Sequence, residues 1–132
     1  MLLTGKNAVI TGGGTGIGLS IARALAEQGC NVAITGRRLN VLEEAAESFG
    51  GHAVKMDVSD EASVVTGMQS IAAHFGSIDI CVANAGIAEG QNIRNSSFDF
   101  WRKIMAINLD GAYLTIRESL RHMPVQEWGR VL

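Results

Sequence analysis

Apolar and polar positions alternate along this chain in two rhythms, one suited to strands and one to helices. Ala8-Val9-Ile10-Thr11 is a short β-rich run that ends in glycines. From Ile17 to Gln28, Ile17, Ile21 and Leu25 recur every four positions, which predicts a helix with one apolar face, ended by Gly29. Asn31-Val32-Ala33-Ile34-Thr35 predicts a second strand. Val41, Leu42, Ala45 and Phe49 then mark a second helix, closed by Gly50-Gly51. Ala53 to Val58 predicts a third strand. Ser59-Asp60-Glu61 follows as an N-cap with acids in the first turn, where the helix dipole favours negative charge. Val64, Met68, Ile71 and Phe75 give that helix its buried stripe, and Gly76 ends it. Ile78 to Ala83 predicts a fourth strand, and a long helix from about Phe98 to Met123 stops at Pro124.

Strands alternating with helices predict βαβ crossovers, right-handed, and a parallel sheet covered on both faces. The expected fold class is α/β: a doubly wound, three-layer α/β/α domain of the Rossmann type over residues 1–132, with no repeat, linker or low-complexity stretch. Gly129-Arg130-Val131-Leu132 opens a fifth strand. A doubly wound sheet ordinarily has a second half, without which the fourth strand would be a bare apolar edge. The expectation is therefore an N-terminal part of a longer protein.

Composition narrows the function classes. With 47% hydrophobic residues, 18% charged and one proline, the chain is not of the disordered type. Eleven basic residues against thirteen acidic ones argue against a nucleic-acid binder, which would carry a positive excess. No apolar run approaches the roughly 18 residues of a membrane span, and Met1 to Lys6 lacks a signal-peptide core. Cys30 and Cys81 lie far apart in apolar stretches, which predicts buried free thiols in a reducing cytoplasm. Two cysteines and three scattered histidines predict no metal site.

The sharpest local signal is Thr11-Gly12-Gly13-Gly14-Thr15-Gly16-Ile17-Gly18, between the first strand and the first helix. Glycines there let main-chain N–H groups approach a diphosphate, and the helix N-terminus adds partial positive charge. Walker spacing fits Gly13 to Gly18, but Leu19 stands where a P-loop has its lysine, which argues against an NTPase. The strict G-x-G-x-x-G fingerprint fails in every register, and the G-x-x-G-x-x-G of nucleotide-sugar epimerases breaks at Leu19. The pattern that fits is T-G-x-x-x-G-I-G.

On this turn the chain resembles the short-chain dehydrogenase/reductase family, and three further motifs arrive in order: Asp57-Val58, Asn84-Ala85-Gly86, and Asn108-Leu109-Asp110-Gly111 as N-x-x-G. The resemblance covers essentially all 132 residues. It implies a cofactor site formed by Gly12, Gly14, Thr15, Gly16, Ile17 and Gly18 around the diphosphate, and Asp57 and Val58 beside the adenine. It also implies Ala85 and Gly86 along the cofactor ribose, with Asn84 holding the central strands. Where an acid would bind the 2′-hydroxyl of NAD, this chain has Gly36 followed by Arg37 and Arg38, which points to NADP in preference to NAD. Thr15 is not basic, so a second phosphate contact seen in part of the family is missing. Asn108 is expected to be a buried amide that supports a proton relay.

The implied activity is hydride transfer between a nicotinamide cofactor and a small-molecule carbonyl or secondary alcohol, in a protein that is a homo-oligomer when complete. The family's chemistry uses a Ser and a Y-x-x-x-K pair. The one tyrosine here is Tyr113, with Arg117 four positions on, so Tyr113 is expected to be structural and the 132 residues inactive by themselves. A non-catalytic dinucleotide-binding protein is the alternative. Phe98 and Trp101, at helical spacing, are expected to pack.

Overall fold

In a computed structural model, which describes residues 1–125 and 128–132, five parallel strands form one sheet in the order β3-β2-β1-β4-β5. The strands are β1 (Asn7–Thr11), β2 (Asn31–Gly36), β3 (His52–Lys55), β4 (Ile80–Val82) and β5 (Arg130–Val131). The helices are α1 (Gly16–Glu27), α2 (Leu39–Glu47), α3 (Glu61–Phe75), α4 (Phe98–Met105) and α5 (Gly111–Arg121), with a π-helical segment, Ala106–Asp110, between the last two. This is the expected open α/β sheet. Its strand order reverses between β1 and β4, the place where such sheets bind ligands beyond the carboxyl ends of their strands.

Strand alternation splits the interior into two layers. Ala8, Ile10, Val32, Ile34, Ile80 and Val82 face α1 and α2, where Ala22, Leu42, Ala45 and Ala46 are buried. Val9, Ala33 and Cys81 face the other way, onto Val64, Met68 and Ile71 of α3 and Leu114 of α5. Both cysteines are buried and unpaired, and burial pushes both thiols up. Among the described residues no helix is long and apolar enough to cross a membrane.

Three features depart from the pattern read along the chain. Ile17 is 74% exposed, because α1 faces the sheet through Gly18 and Ala22, a stripe one position over from Ile17, Ile21 and Leu25. The small residues let α1 start hard against β1, which turns Ile17 outward. The long helix is broken by the π-helical segment, a device that widens the turn and re-aims its side chains. Phe98 and Trp101 do not pack: α4 buries no residue, and only α5 reaches the core, through Leu114, Thr115, Glu118 and Ser119. Strand limits differ less. The ladder runs past both ends of β4, since Asp79 N–H donates to Asn7 O (2.8 Å) and Ala83 N–H to Leu132 O (2.8 Å).

Candidate functional site

A cleft of about 340 Å³ opens at the carboxyl ends of β1, β2 and β4, across the point where the strand order reverses. Its floor is the glycine turn. Gly12 has φ +63°, a left-handed conformation that suits glycine. A Cβ there would lie 3.1 Å from both Ala85 Cα and Asn84 Nδ2. At Gly18 a Cβ would overlap the main-chain oxygen of Gly12 and come within 2.6 Å of Asn84 Nδ2. The turn and the first turn of α1 are thus pressed together with no room for a methyl group.

The start of α1 is electrostatically bare. Thr15 is its N-cap residue, yet makes no side-chain capping bond, and the first turn has no acid. By contrast, α3 is capped by Asp60 accepting from Ser63 N–H (3.2 Å), and α4 by Ser97 accepting from Phe100 N–H (3.0 Å), each followed by an acid. The first N–H groups of a helix have no intrahelical acceptor, and with the dipole they favour an anion. At α1 that tendency is left to act on the cleft. Thr35 adds a buried hydroxyl on the cleft's lining that has no hydrogen-bond partner among the described residues.

The wall on the β2 side carries Arg37 and Arg38, both exposed, with Arg38 at the N-cap of α2. Beside them, past the end of β3, Asp57 Oδ1 accepts from Ser59 N–H (2.9 Å) and Ser59 Oγ (2.7 Å). Those bonds, with the Arg37 guanidinium nearby, hold the Asp57 carboxyl below the usual carboxylate range. Asp57 N–H also donates to Ser63 Oγ (2.9 Å), which ties the turn to α3. Val58 is buried beside it.

On the β4 side, Asn84 donates from Nδ2 to the carbonyls of Thr11 (3.0 Å) and Gly12 (3.3 Å), and Thr11 Oγ1 accepts from Ala85 N–H (3.0 Å). These bonds lock the two central strand ends together, the part assigned to Asn84. Asn108 departs from expectation: it is exposed rather than buried. Its amide is nonetheless partnered, because Oδ1 accepts from Ile87 N–H (2.8 Å) and Nδ2 donates to Ile87 O (2.8 Å). The π-helical segment aims Asn108 at that loop, a geometry that spacing along the chain does not reveal.

Of the residues singled out from sequence, Gly12, Gly14, Thr15, Arg37, Arg38, Asp57, Val58, Ala85 and Gly86 line the cleft together. Gly16, Ile17, Gly18, Asn84 and Asn108 do not line it. Gly18, Asn84 and Asn108 act from behind, through the contacts above. Sequence reasoning missed Val41, Leu42, Met56 and Ile107, apolar lining residues that carry no chemical signal. Tyr113 is 60% exposed and stacks against Arg117, outside the cleft. Among the described residues no three of His, Cys, Asp and Glu converge as metal ligands.

Fold and cleft together define an open α/β protein with an anion-seeking turn at its switch point. The chain belongs to the short-chain dehydrogenase family, whose family model matches residues 6–132. It is 40% identical over 125 residues to an NADP-dependent (R)-specific alcohol dehydrogenase of Lentilactobacillus kefiri, covering 92% of this chain and 50% of that one. It is 38% identical to a 3-oxoacyl-acyl-carrier-protein reductase of Aquifex aeolicus, covering 98% and 55%. A mutant short-chain dehydrogenase/reductase from Serratia marcescens superposes with a TM-score of 0.92 at 31% identity, covering 99% of this chain and 55% of that one. The chain thus spans about half the length of the curated relatives it matches. The family binds nicotinamide dinucleotides.

Proposed function

We propose that this chain holds the adenosine diphosphate portion of a nicotinamide dinucleotide for an oxidoreductase acting on a small carbonyl compound or secondary alcohol. The observation that carries the reading is the uncapped, acid-free start of α1, packed against a turn whose Gly12 and Gly18 leave no room for a methyl group. The main-chain N–H groups from Gly14 to Gly18 would meet the diphosphate, with Gly16 and Ile17 contributing backbone only. Asp57, ionised and held by Ser59, would accept from the adenine amino group beside Val58. Ala85 and Gly86 would lie along the second ribose. When bound, the nicotinamide supplies or takes up the hydride.

The relative from Lentilactobacillus kefiri is NADP-dependent, and Gly36-Arg37-Arg38 at the end of β2 supports the same preference here. A guanidinium at that place binds a 2′-phosphate and leaves a bare 2′-hydroxyl without its usual acid. Asn108 supports the reaction rather than touching it. Each end of its amide is used once on Ile87, which leaves one N–H and one lone pair for a water in a proton relay. The 132 residues contain no Y-x-x-x-K pair, so by themselves they bind without turning over. Two buried free thiols fit a reducing, cytoplasmic setting. The exposed Phe98, Trp101 and Leu109 suit a contact between subunits of a homo-oligomer.

The test is the affinity of the complete protein for NADP and NAD, before and after Arg37→Ala. A charge-assisted bond to phosphate is worth roughly 1.5–3 kcal/mol, so the NADP preference falls about ten- to hundred-fold if Arg37 reads the 2′-phosphate. An unchanged preference refutes that role.

A further inference from the structure

We infer that Gly111 is a positioning residue for the adenosine end of the cleft, the bare seat on which Val58 and the turn from Asp57 to Glu61 are set by α5. The inference rests on the cleft being the dinucleotide site. Gly111 is the buried first residue of α5 and never touches the cleft. A Cβ on it would lie 2.7 Å from Val58 Cγ2, 3.0 Å from Val58 Cβ and 3.3 Å from Val58 O. The crowded atoms include a branch point and the main chain, so turning a side-chain tip does not relieve them. Val58 itself has to move, and Val58 lines the cleft.

The other end of the same turn is held by the same helix. Arg117 Nη2 binds Glu61 Oε2 at 3.0 Å, and Glu61 is the first residue of α3. Arg117 is in turn fixed through Nε to Glu118 at 2.8 Å. Glu118 is 2% exposed, and a buried carboxylate has to keep its partners, here Arg117 and Arg121. Between these two anchors the turn is internally tied by the bonds of Asp57 to Ser59 and Ser63. It therefore moves as a block with α5 rather than as a loose loop.

The experiment uses the complete protein and titration calorimetry with two probes, the preferred dinucleotide and AMP. Gly111→Ala is expected to weaken both by about fivefold or more, a modest packing penalty at close contact. Adding Val58→Ala removes the nearest contact, the γ-methyl at 2.7 Å, and leaves Cβ and the main-chain oxygen, so Gly111→Ala should cost less binding in the Val58→Ala background than in the wild type, a partial cancellation that general loss of stability does not produce. Should Gly111→Ala fail to fold, Glu61→Gln tests the second anchor, with a weakening of about two- to fivefold expected from an exposed ion pair. Unchanged binding in folded Gly111→Ala, a loss for the dinucleotide but not AMP, no cancellation by Val58→Ala, or unchanged binding in Glu61→Gln when that variant is needed would overturn the inference. A wild-type protein that binds neither probe sinks the underlying cleft assignment instead.

Discussion

Between Gly18 and the carbonyl of Gly12 there is no space for a methyl group, and Asn84 Nδ2 crowds the same place at 2.6 Å. Gly18→Ala therefore forces α1 away from β1. Inserting a methyl into such a contact costs typically about 1–3 kcal/mol, and here the main chain is the obstacle, so the upper end is expected. Urea unfolding measures it; a loss under about 0.5 kcal/mol, the range of an ordinary surface change, would contradict the packing described. Glycine spacing made this residue legible in sequence, since a turn and a close approach both demand glycine. Asn84 was legible too, as a polar residue ending an apolar strand. Ile17 was not: periodicity names a face only to within one position, and the identity of the small neighbour decides which side turns in.

Elements meet where β3 and the last turn of α3 stack His52 on His74, rings 4.0 Å apart and nearly parallel, with Phe75 against both. Burial, and then the charge of His74, favours the neutral form of His52 and lowers its titration. A histidine in the unfolded chain titrates at about 6.5, so the unfolded state takes up the proton first. Stability from this contact is fully present above that pH and is lost as pH falls through the lowered value. His52→Phe keeps a ring in the stack without the charge. Calorimetry from pH 7 to pH 5 should show a smaller fall in Tm for the variant than for the wild type; parallel curves would remove the pair from the acid response. Neither histidine had a partner that sequence could name, because the contact joins a strand to a helix end 22 positions later. The break between α4 and α5 was equally hidden. Apolar spacing runs smoothly through it, and only the reach of Asn108 to Ile87 shows why the turn widens.

At the scale of the whole molecule, the alternation of strands and helices was legible apart from the break in the last helix, since alternating periods of two and nearly four residues leave few topologies. Strand order then fixed the rest: reversal between β1 and β4 puts the glycine turn, the Arg37 wall and the Asn84-Ala85-Gly86 corner around one cleft. The apolar lining was not legible, because Val41, Leu42 and Ile107 look like any core residues. The relatives are about twice as long as this chain. The most direct question is where a dinucleotide's diphosphate goes. Amide resonances of the complete, isotope-labelled protein, followed while NADP is added, answer that. The largest shifts are expected at Gly14, Thr15, Gly16 and Ile17, with Arg37 and Val58 moving alongside. Saturable binding that leaves those turn amides unmoved would contradict the account.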